Sequence, residues 1–387
     1  MKKTIRDYEY ENKKVIIRCD LNVPIKDGVI TDDTRIKESL ESINYLIDHN
    51  AKVIILSHLG KIKNEDDKLE NTLYPVYQKL KSYLNTNVYF SKETRGKELE
   101  NLVNKLQNKE VLLVENTRYE DYPNKLESNC DEELSKYWAN LGEIFINDAY
   151  GTTHRAHASN IGIAKLLPNG IGFLVEREIT KIDEILNENT HPYTVVMGGK
   201  KISDKTLVID NLITKCDYLL LGGGMCFTFI KAKGLNIGAS IIDEDNISYC
   251  KELLDKYADK LILPLDIVTK DNRIVNINNL DNDDIGYDIG PKTIELFNNI
   301  LKESKRVIIN GPMGVFEEKP FDNGTREIYQ TLKDNHIKTL IGGGDSAASV
   351  NMLGFANDFF HISTGGGATL EYLSGIPLKA IEVIENK

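Results

Sequence analysis

The chain alternates between short apolar runs and longer amphipathic stretches. Apolar runs at Val15–Cys19, Val53–Leu56 and Val111–Val114 each lead directly into polar residues, and a fourth lies at Ile144–Ile146. Between the first two runs, the apolar residues from 36 to 47 share one helical face. Runs this apolar are typical of strands that are buried on both faces. The pattern therefore predicts a parallel sheet with helices on both sides.

The second half repeats this alternation, but its strands end in glycine. Runs at Tyr193–Met197, Tyr218–Leu221 and Val307–Ile309 lead into glycine-rich loops, and 20 of the 28 glycines lie beyond residue 190. A helix is predicted over Phe173–Leu186, because its apolar spacing is helical and it ends before His191–Pro192. We therefore predict an α/β fold of two doubly wound parallel-sheet (Rossmann-like) domains, at 1–172 and 191–370, joined by a helix hinge over 173–190.

Polar side chains follow the predicted strands of the first half, at the edge where a parallel sheet binds ligands. These residues are Asp20, Asn22, His58, Arg118 and Arg155. Each alone is a weak signal, since a single histidine is more often structural, and Arg35 in the following helix could be a surface charge. Together at one edge they predict a site for an anionic or hydroxyl-rich ligand.

The stretch Lys338–Val350 reads as a strand, a turn of three glycines and a helix N-terminus. Unpaired N–H groups at such a place suit a phosphate, and Asp345 suits a Mg²⁺ ion that bridges phosphate oxygens. One alternative is an ordinary turn with Ser346 as the helix cap. Another is a dinucleotide fingerprint, but no ribose-binding acid follows about 20 residues later. A Walker P-loop is absent, so a magnesium-nucleotide loop is favoured.

Composition narrows the class of partner. A chain of 387 residues is long enough for two or three domains, and its net charge of −11 argues against nucleic acid or an anionic membrane as a partner. The five scattered cysteines indicate reduced thiols in a cytoplasm. The N-terminus becomes charged before any apolar stretch, and no run is long enough for a membrane span. We expect a cytoplasmic protein without a signal peptide.

Taken in chain order, the motifs resemble those of the phosphoglycerate kinase family over essentially the whole sequence. They are Arg18-x-Asp20-x-Asn22, Ser57–His58–Leu59–Gly60, Glu115–Asn116-x-Arg118, Asn147–Asp148–Ala149 with His154–Arg155–Ala156–His157, Lys200–Lys201-x-x-Asp204–Lys205, Gly222–Gly223–Gly224–Met225, Asn310 to Glu317, Gly342 to Asp345, and Ser363–Thr364 with three glycines.

The resemblance implies a reversible transfer of the acyl phosphate of 1,3-bisphosphoglycerate to MgADP on domain closure. This reaction of glycolysis and gluconeogenesis gives 3-phosphoglycerate and MgATP. It implies a phosphoglycerate site in the first domain, formed by Asp20, Leu21, Asn22, Arg35, His58, Leu59, Gly60, Lys61, Arg118 and Arg155. It also implies a tail, 371–387, that returns to that domain, and we expect a monomer.

The nucleotide, ATP or ADP, is implied to bind the second domain. Its expected contacts are Lys201, Lys205, Gly222, Gly223, Gly286, Tyr287, Pro312, Glu317, Gly343, Gly344, Asp345 and Ser346. Within this set, Asp345 would bind Mg²⁺ and Glu317 the ribose. The residues expected to act in catalysis are Arg35, Lys201 and Lys205. An acyl phosphate is an activated donor, so positioning and neutralising charge are enough and a base is not needed.

Some positions depart from the family pattern. Lys61 stands where the family commonly has arginine, and Tyr287 stands where an aliphatic residue flanks adenine. Lys200 adds a charge near the nucleotide phosphates, Ile309 replaces a tryptophan, and Ser346 replaces a threonine. Two rival classes are a non-catalytic binding protein and a dehydrogenase. The first has no use for two separate polar edges, and the second would carry an acid at the end of its second strand.

Overall fold

The computed structural model describes residues 1–387, which divide into two compact units. The first unit comprises Met1–Thr180 together with Pro377–Lys387, and the second comprises Lys181–Ile376. In the first unit the C-terminal segment is attached to the body of the unit, because Ala380 N donates to Thr153 O at 2.8 Å. No helix has the length and apolar character needed to cross a membrane.

The first unit contains a six-stranded sheet and a short hairpin. Its strands are β1 (Lys14–Cys19), β2 (Ile25–Lys26), β3 (Val29–Ile30), β4 (Lys52–Leu56), β5 (Val88–Ser91), β6 (Val111–Val114), β7 (Ile144–Asp148) and β8 (Asn169–Ile171). Its helices are α1 (Thr34–Asp48), α2 (Asp66–Glu70), α3 (Tyr74–Tyr83), α4 (Lys97–Lys105) and α5 (Glu132–Ala139), and α6 (Phe173–Asn187) continues into the second unit.

The large sheet has the order β5-β6-β4-β1-β7-β8, with every neighbouring pair parallel. Its central strands are buried on both faces, as the apolar runs predict, and α1 buries Ile36, Ile43 and Leu46 against it. Chain order reverses between β1 and β7, because β4 lies on one side of β1 and β7 on the other. A crevice outside the strand ends is expected at such a switch point.

The second unit has the same architecture. Its strands are β9 (Tyr193–Met197), β10 (Tyr218–Leu221), β11 (Leu261–Ile262), β12 (Asp266–Thr269), β13 (Ile274–Asn276), β14 (Gly286–Ile289), β15 (Arg306–Asn310), β16 (Lys338–Gly342) and β17 (His361–Ile362). Its helices are α7 (Thr206–Ile213), α8 (Cys226–Ala232), α9 (Ile247–Lys256), α10 (Pro291–Glu303), α11 (Asn323–Asp334), α12 (Gly344–Leu353) and α13 (Gly367–Leu373); α14 (Lys379–Glu382) belongs to the first unit.

The main sheet of the second unit has the order β11-β10-β9-β15-β16-β17 and is parallel throughout. Its switch point lies between β9 and β15, since β10 follows β9 on one side and β15 lies on the other. The predicted fold class, two doubly wound parallel-sheet domains with a linking helix, is confirmed, and the predicted helix at residues 173–186 is α6.

Three segments depart from the alternation of parallel strands and helices. The segment at 285–289 does not extend the parallel sheet, because β14 pairs antiparallel with β12 in a separate three-stranded sheet. The strand that begins at Leu261 ends at Ile262, two residues before Pro264, which cannot donate to a ladder. The charged loop at 63–68 includes the start of α2, whose first turn carries Asp66 and Asp67.

Candidate active site

The switch point of the first unit holds an ion pair between Asp20 and Arg35. Asp20 follows β1 directly, and Arg35 in the first turn of α1 donates through Nη1 to Oδ2 of Asp20. Gly151, in the loop after β7, packs against this pair. A Cβ atom at residue 151 would lie 2.5 Å from Oδ2 of Asp20 and 3.6 Å from Nη1 of Arg35. The two loops of the switch point are therefore fitted closely around these two side chains.

Three histidines of this unit have lowered pKa values and stay neutral, and two of them, His58 and His157, are buried. Burial lowers the pKa of His58 well below its ordinary value, and the positive charges of Arg18 and Arg118 lower it further. The same causes lower the pKa of His157 to about 3. Burial and the neighbouring Arg155 lower the pKa of His154 to about 4. A set of cations with uncharged donors between them suits an anionic ligand.

Arg118 carries a donor that no protein atom satisfies. Its residue is 7% exposed, and its buried Nε has no hydrogen-bond partner. Nη1 of Arg118 lies 3.6 Å from Oδ2 of Asp121, and Arg155 is close enough to lower the pKa of Arg118. Arg155 itself is exposed, and its Nε donates to Nε2 of His154 at 3.0 Å.

The remaining residues predicted for this site shape its loops. Asn22 accepts from the backbone N–H of Gly60 at 2.9 Å, and Leu21 N–H donates to Ser57 Oγ at 2.9 Å. Asn116 binds both backbone groups of Leu59. Its Oδ1 accepts from the N–H of Leu59 at 3.1 Å, and its Nδ2 donates to the carbonyl oxygen of Leu59 at 2.7 Å. Gly60 has a φ of 59°, which favours glycine. Lys61, which follows it, is exposed.

In the second unit the loops after β9, β10 and β15 pack backbone against backbone. Gly199 N–H donates to Pro312 O at 2.9 Å, and Gly223 N–H donates to Met313 O at 2.9 Å. A Cβ atom at Gly223 would lie 2.5 Å from the nitrogen of Gly199, and one at Gly198 would lie 2.1 Å from Pro312 O. Side chains are thus excluded where these loops meet, which explains the glycine doublets in the sequence.

Lys205 spans the switch point of this unit. Its Nζ donates to the backbone oxygen of Asn310 at 3.0 Å and to the side-chain oxygen of the same residue. Burial lowers the pKa of Lys205 to about 8, while the nearby carboxylates of Asp345 and Asp204 act in the opposite direction. Lys201, by contrast, is exposed.

The glycine turn before α12 has the predicted strand–turn–helix form. Gly343 has a φ of 96°, α12 begins at Gly344, and Asp345 is exposed in its first turn. Ser346 is buried and accepts through Oγ from the backbone N–H of Gly311 at 2.6 Å. The serine therefore joins the two loops, and the helix start with Asp345 remains open to solvent.

A cleft of about 560 Å³ lies beside these loops. Six of the residues predicted to contact a nucleotide line it: Gly223, Gly286, Tyr287, Pro312, Glu317 and Asp345. Tyr287 packs edge-on against Phe321, with ring centroids 4.9 Å apart. Gly222 is buried behind the cleft wall, where a Cβ atom would lie 2.5 Å from Sδ of Met313. Lys201, Lys205, Gly343, Gly344 and Ser346 are outside the set of lining residues.

The carboxylate beside this cleft suits a Mg²⁺ ion that binds together with a nucleotide. No cluster of three or more His, Cys, Asp or Glu side chains could hold a metal ion alone. Mg²⁺ usually keeps several waters and binds one or two carboxylates together with substrate phosphates. Asp345 offers one such carboxylate, exposed beside the cleft and close to Lys205.

Several residues around these sites were not among the predicted site residues. Asn116 lies within a quoted motif and Gly151 lies between two quoted segments, and both pack against or hold the loops at the switch point of the first unit. Glu127 carried no signal, because a single acid in a polar stretch looks like surface. It is fully buried and accepts from the backbone N–H of Ser159 at 2.9 Å.

Comparison with known proteins agrees with both the fold and the motifs. The family model for phosphoglycerate kinase matches residues 5–376. The chain is 49% identical over 398 residues to phosphoglycerate kinase of Fusobacterium nucleatum and 48% identical over 395 residues to that of Enterococcus faecalis, with 100% of each chain covered. The solved structure of phosphoglycerate kinase from Coxiella burnetii superposes with a TM-score of 0.88 at 33% identity and covers 99% of this chain and 98% of its own.

A second solved structure, phosphoglycerate kinase from Pyrococcus horikoshii OT3, has a TM-score of 0.83 at 31% identity, with 98% of both chains covered. The family reaction transfers the acyl phosphate of 1,3-bisphosphoglycerate to MgADP, reversibly, within glycolysis. The family model and the relatives extend over nearly all of the chain. The chain therefore belongs to the phosphoglycerate kinase family and catalyses this phosphotransfer with MgATP or MgADP as co-substrate.

Proposed function

We propose that the switch point of the first unit binds 3-phosphoglycerate or its 1,3-bisphosphate. The observation that carries this proposal is the buried Nε of Arg118, which lacks a partner within a group of arginines and neutral histidines. A buried donor without a partner costs about 1–3 kcal/mol, and an anionic oxygen would recover this energy. The proposed contacts are Asp20, Leu21, Asn22, Arg35, His58, Leu59, Gly60, Lys61, Arg118 and Arg155.

The second unit, in this proposal, holds the nucleotide. The cleft beside Tyr287 and Pro312 takes the base, Glu317 takes the ribose, and the phosphates lie toward Lys205 and the start of α12. The apolar and glycine lining of the cleft supports this orientation, as does the positive end of the helix dipole. Asp345 would hold Mg²⁺, which when bound would neutralise negative charge on the phosphates.

Catalysis in this proposal is positioning with charge neutralisation. Lys205 is held by Asn310, so its ammonium group is already oriented before a nucleotide binds. Arg35 is held by Asp20 in the same way. Both would place positive charge where the transferring phosphoryl group develops negative charge. Lys201, which is exposed, would add a mobile charge near the phosphates.

We also propose a cytoplasmic monomer without nucleic-acid or membrane partners. The net charge of −11 supports this proposal, because it disfavours binding to polyanions. The five cysteines are all free, as expected in a reducing compartment. Sedimentation velocity at several protein concentrations tests the monomer, and a mass near 43.7 kDa is expected.

Calorimetric titration of two variants tests the division of the substrates. Arg118→Ala is expected to weaken 3-phosphoglycerate binding by about tenfold to a hundredfold and to leave MgADP binding unchanged. Asp345→Asn is expected to weaken MgADP binding alone. The proposal fails if Arg118→Ala binds 3-phosphoglycerate like the wild type, or if each variant loses the ligand assigned to the other unit.

A further inference from the structure

A chain of buried hydrogen bonds runs behind His58. Nε of Arg18 donates to Oγ of Ser159 at 2.9 Å, and Ser159 donates through its hydroxyl to Oε1 of Glu127. The backbone N–H of Ser159 also donates to Oε2 of Glu127 at 2.9 Å. Arg18, Ser159 and Glu127 are each 0% exposed. The other end of the guanidinium reaches His58, with Nη2 of Arg18 at 3.1 Å from Nδ1 of the ring.

With Glu127 ionised, the donors and acceptors along this chain have only one consistent arrangement. A guanidinium group can donate but cannot accept. Oγ of Ser159 therefore accepts from Arg18, and its own hydrogen goes to Glu127, whose two carboxylate oxygens both accept. Since Nη2 of Arg18 must also donate, Nδ1 of His58 must accept. The proton of the neutral ring is therefore on Nε2.

We propose that Glu127 is a positioning residue for the phosphotransfer, which acts through Ser159 and Arg18 to hold His58 as a neutral Nε2–H donor toward the anionic substrate. The inference rests on the proposed placement of 3-phosphoglycerate in the first unit. Glu127 itself lies behind Arg18 and does not touch the substrate in this proposal. A donor of fixed direction is worth more to an anion than a ring that exchanges between tautomers.

The electrostatic surroundings agree with this role. Burial and the charges of Arg18, Arg118 and Arg35, together with His157, keep His58 neutral. Arg18 is a buried cation that faces the buried carboxyl group of Glu127 through Ser159. Burial raises the pKa of Glu127, whereas the charge of Arg18 and the two hydrogen bonds from Ser159 lower it and favour the carboxylate. Removing one member of such a pair leaves an uncompensated buried charge, so the arrangement depends on Glu127 even though the two groups are bridged.

Steady-state kinetics of Glu127→Gln tests the positioning role. Glutamine keeps the size of the side chain, but its NH₂ group cannot accept from Ser159 and its charge is lost. We expect the KM for 3-phosphoglycerate to rise about tenfold and the KM for MgATP to stay within about twofold of the wild type. Glu143→Gln is the matched control, because Glu143 is a surface acid of the same unit that pairs with Lys13 at 2.9 Å. A wild-type KM for 3-phosphoglycerate in Glu127→Gln would overturn the proposal.

Nitrogen-15 NMR of histidine in the wild-type chain gives a second readout that does not depend on the folding of that variant. With the signal of His58 assigned by its loss in His58→Gln, the Nε2–H tautomer is expected between about pH 6 and pH 8. Ser159→Ala should add the Nδ1–H tautomer to the spectrum. An Nδ1–H tautomer or a cationic ring in the wild type overturns the proposal. Unchanged 3-phosphoglycerate binding in His58→Gln would instead overturn the placement of the substrate, and the tautomer result would stand.

Discussion

Lys205 donates through Nζ to the backbone oxygen of Asn310 at 3.0 Å, which joins α7 to the end of β15 across the switch point of the second unit. The pKa of Lys205 is lowered to about 8 because its side chain is buried. Above this pH the free protein carries a neutral amine, whereas bound phosphates favour the ammonium form. Raising the pH from about 7 to about 9 should therefore raise the KM for MgATP about tenfold.

Initial rates across this pH range measure the effect, with the KM for 3-phosphoglycerate as the internal reference. Lys205→Arg provides the control, because arginine keeps its charge up to a much higher pH. Its KM for MgATP should depend far less on pH. An identical pH profile in Lys205→Arg would show that another group titrates.

Asp345→Asn should lose most of its turnover, because an amide holds Mg²⁺ less well than a carboxylate. The KM for 3-phosphoglycerate should stay nearly unchanged, and the residual activity should need more Mg²⁺ than the wild type. Asp204→Asn is a matched control, since this exposed acid also faces Lys205. Measuring kcat as a function of Mg²⁺ concentration in both variants tests this prediction. A kcat near that of the wild type in Asp345→Asn would contradict the assignment of Asp345 as a Mg²⁺ ligand.

Gly151→Ala should weaken the proposed binding of 3-phosphoglycerate and leave the binding of MgATP unchanged. The added methyl group would lie 2.5 Å from Oδ2 of Asp20, so the carboxylate and its partner Arg35 must shift. We expect the KM for 3-phosphoglycerate to rise about tenfold, because one charge-assisted contact is lost. The KM for MgATP should stay constant. Equal changes in both KM values would point to general destabilisation instead.

Lys61→Ala should lower kcat/KM more than it weakens the binding of 3-phosphoglycerate without nucleotide. Lys61 is exposed and directly follows Gly60, and in the proposed function its charge would approach the transferring group. The expected loss is about tenfold to a hundredfold, while Lys61→Arg should retain most activity. If Lys61→Ala matches the wild type in kcat/KM, this residue is simply the start of the charged loop.

The sequence predicts the fold well where apolar runs are continuous. Val111–Val114 and Tyr193–Met197 are strands with the predicted bounds, because each run is buried on both faces. The edge strand Val88–Ser91 was missed because Tyr89 is exposed and the run is only partly apolar. The antiparallel pairing of Gly286–Ile289 also escaped prediction, since an apolar pattern does not specify the partner of a strand.

The position of candidate site residues was predictable where a motif follows a strand. Asp20 directly follows β1, and Asp345 follows β16 after the glycine turn, at the strand ends where a ligand is expected. Glu127 was not predictable, because its role depends on contact with Ser159, 32 positions away. Such long-range contacts require the folded chain, and the neutral state of His58 depends on several of them.

A coupled assay with 3-phosphoglycerate and MgATP measures the phosphotransfer itself. Formation of 1,3-bisphosphoglycerate is followed through its enzymatic reduction by NADH. We expect turnover that requires both substrates and Mg²⁺ and that runs in reverse when 1,3-bisphosphoglycerate and MgADP are supplied. ATP hydrolysis at an equal rate without 3-phosphoglycerate, or no turnover with both substrates present, would contradict it.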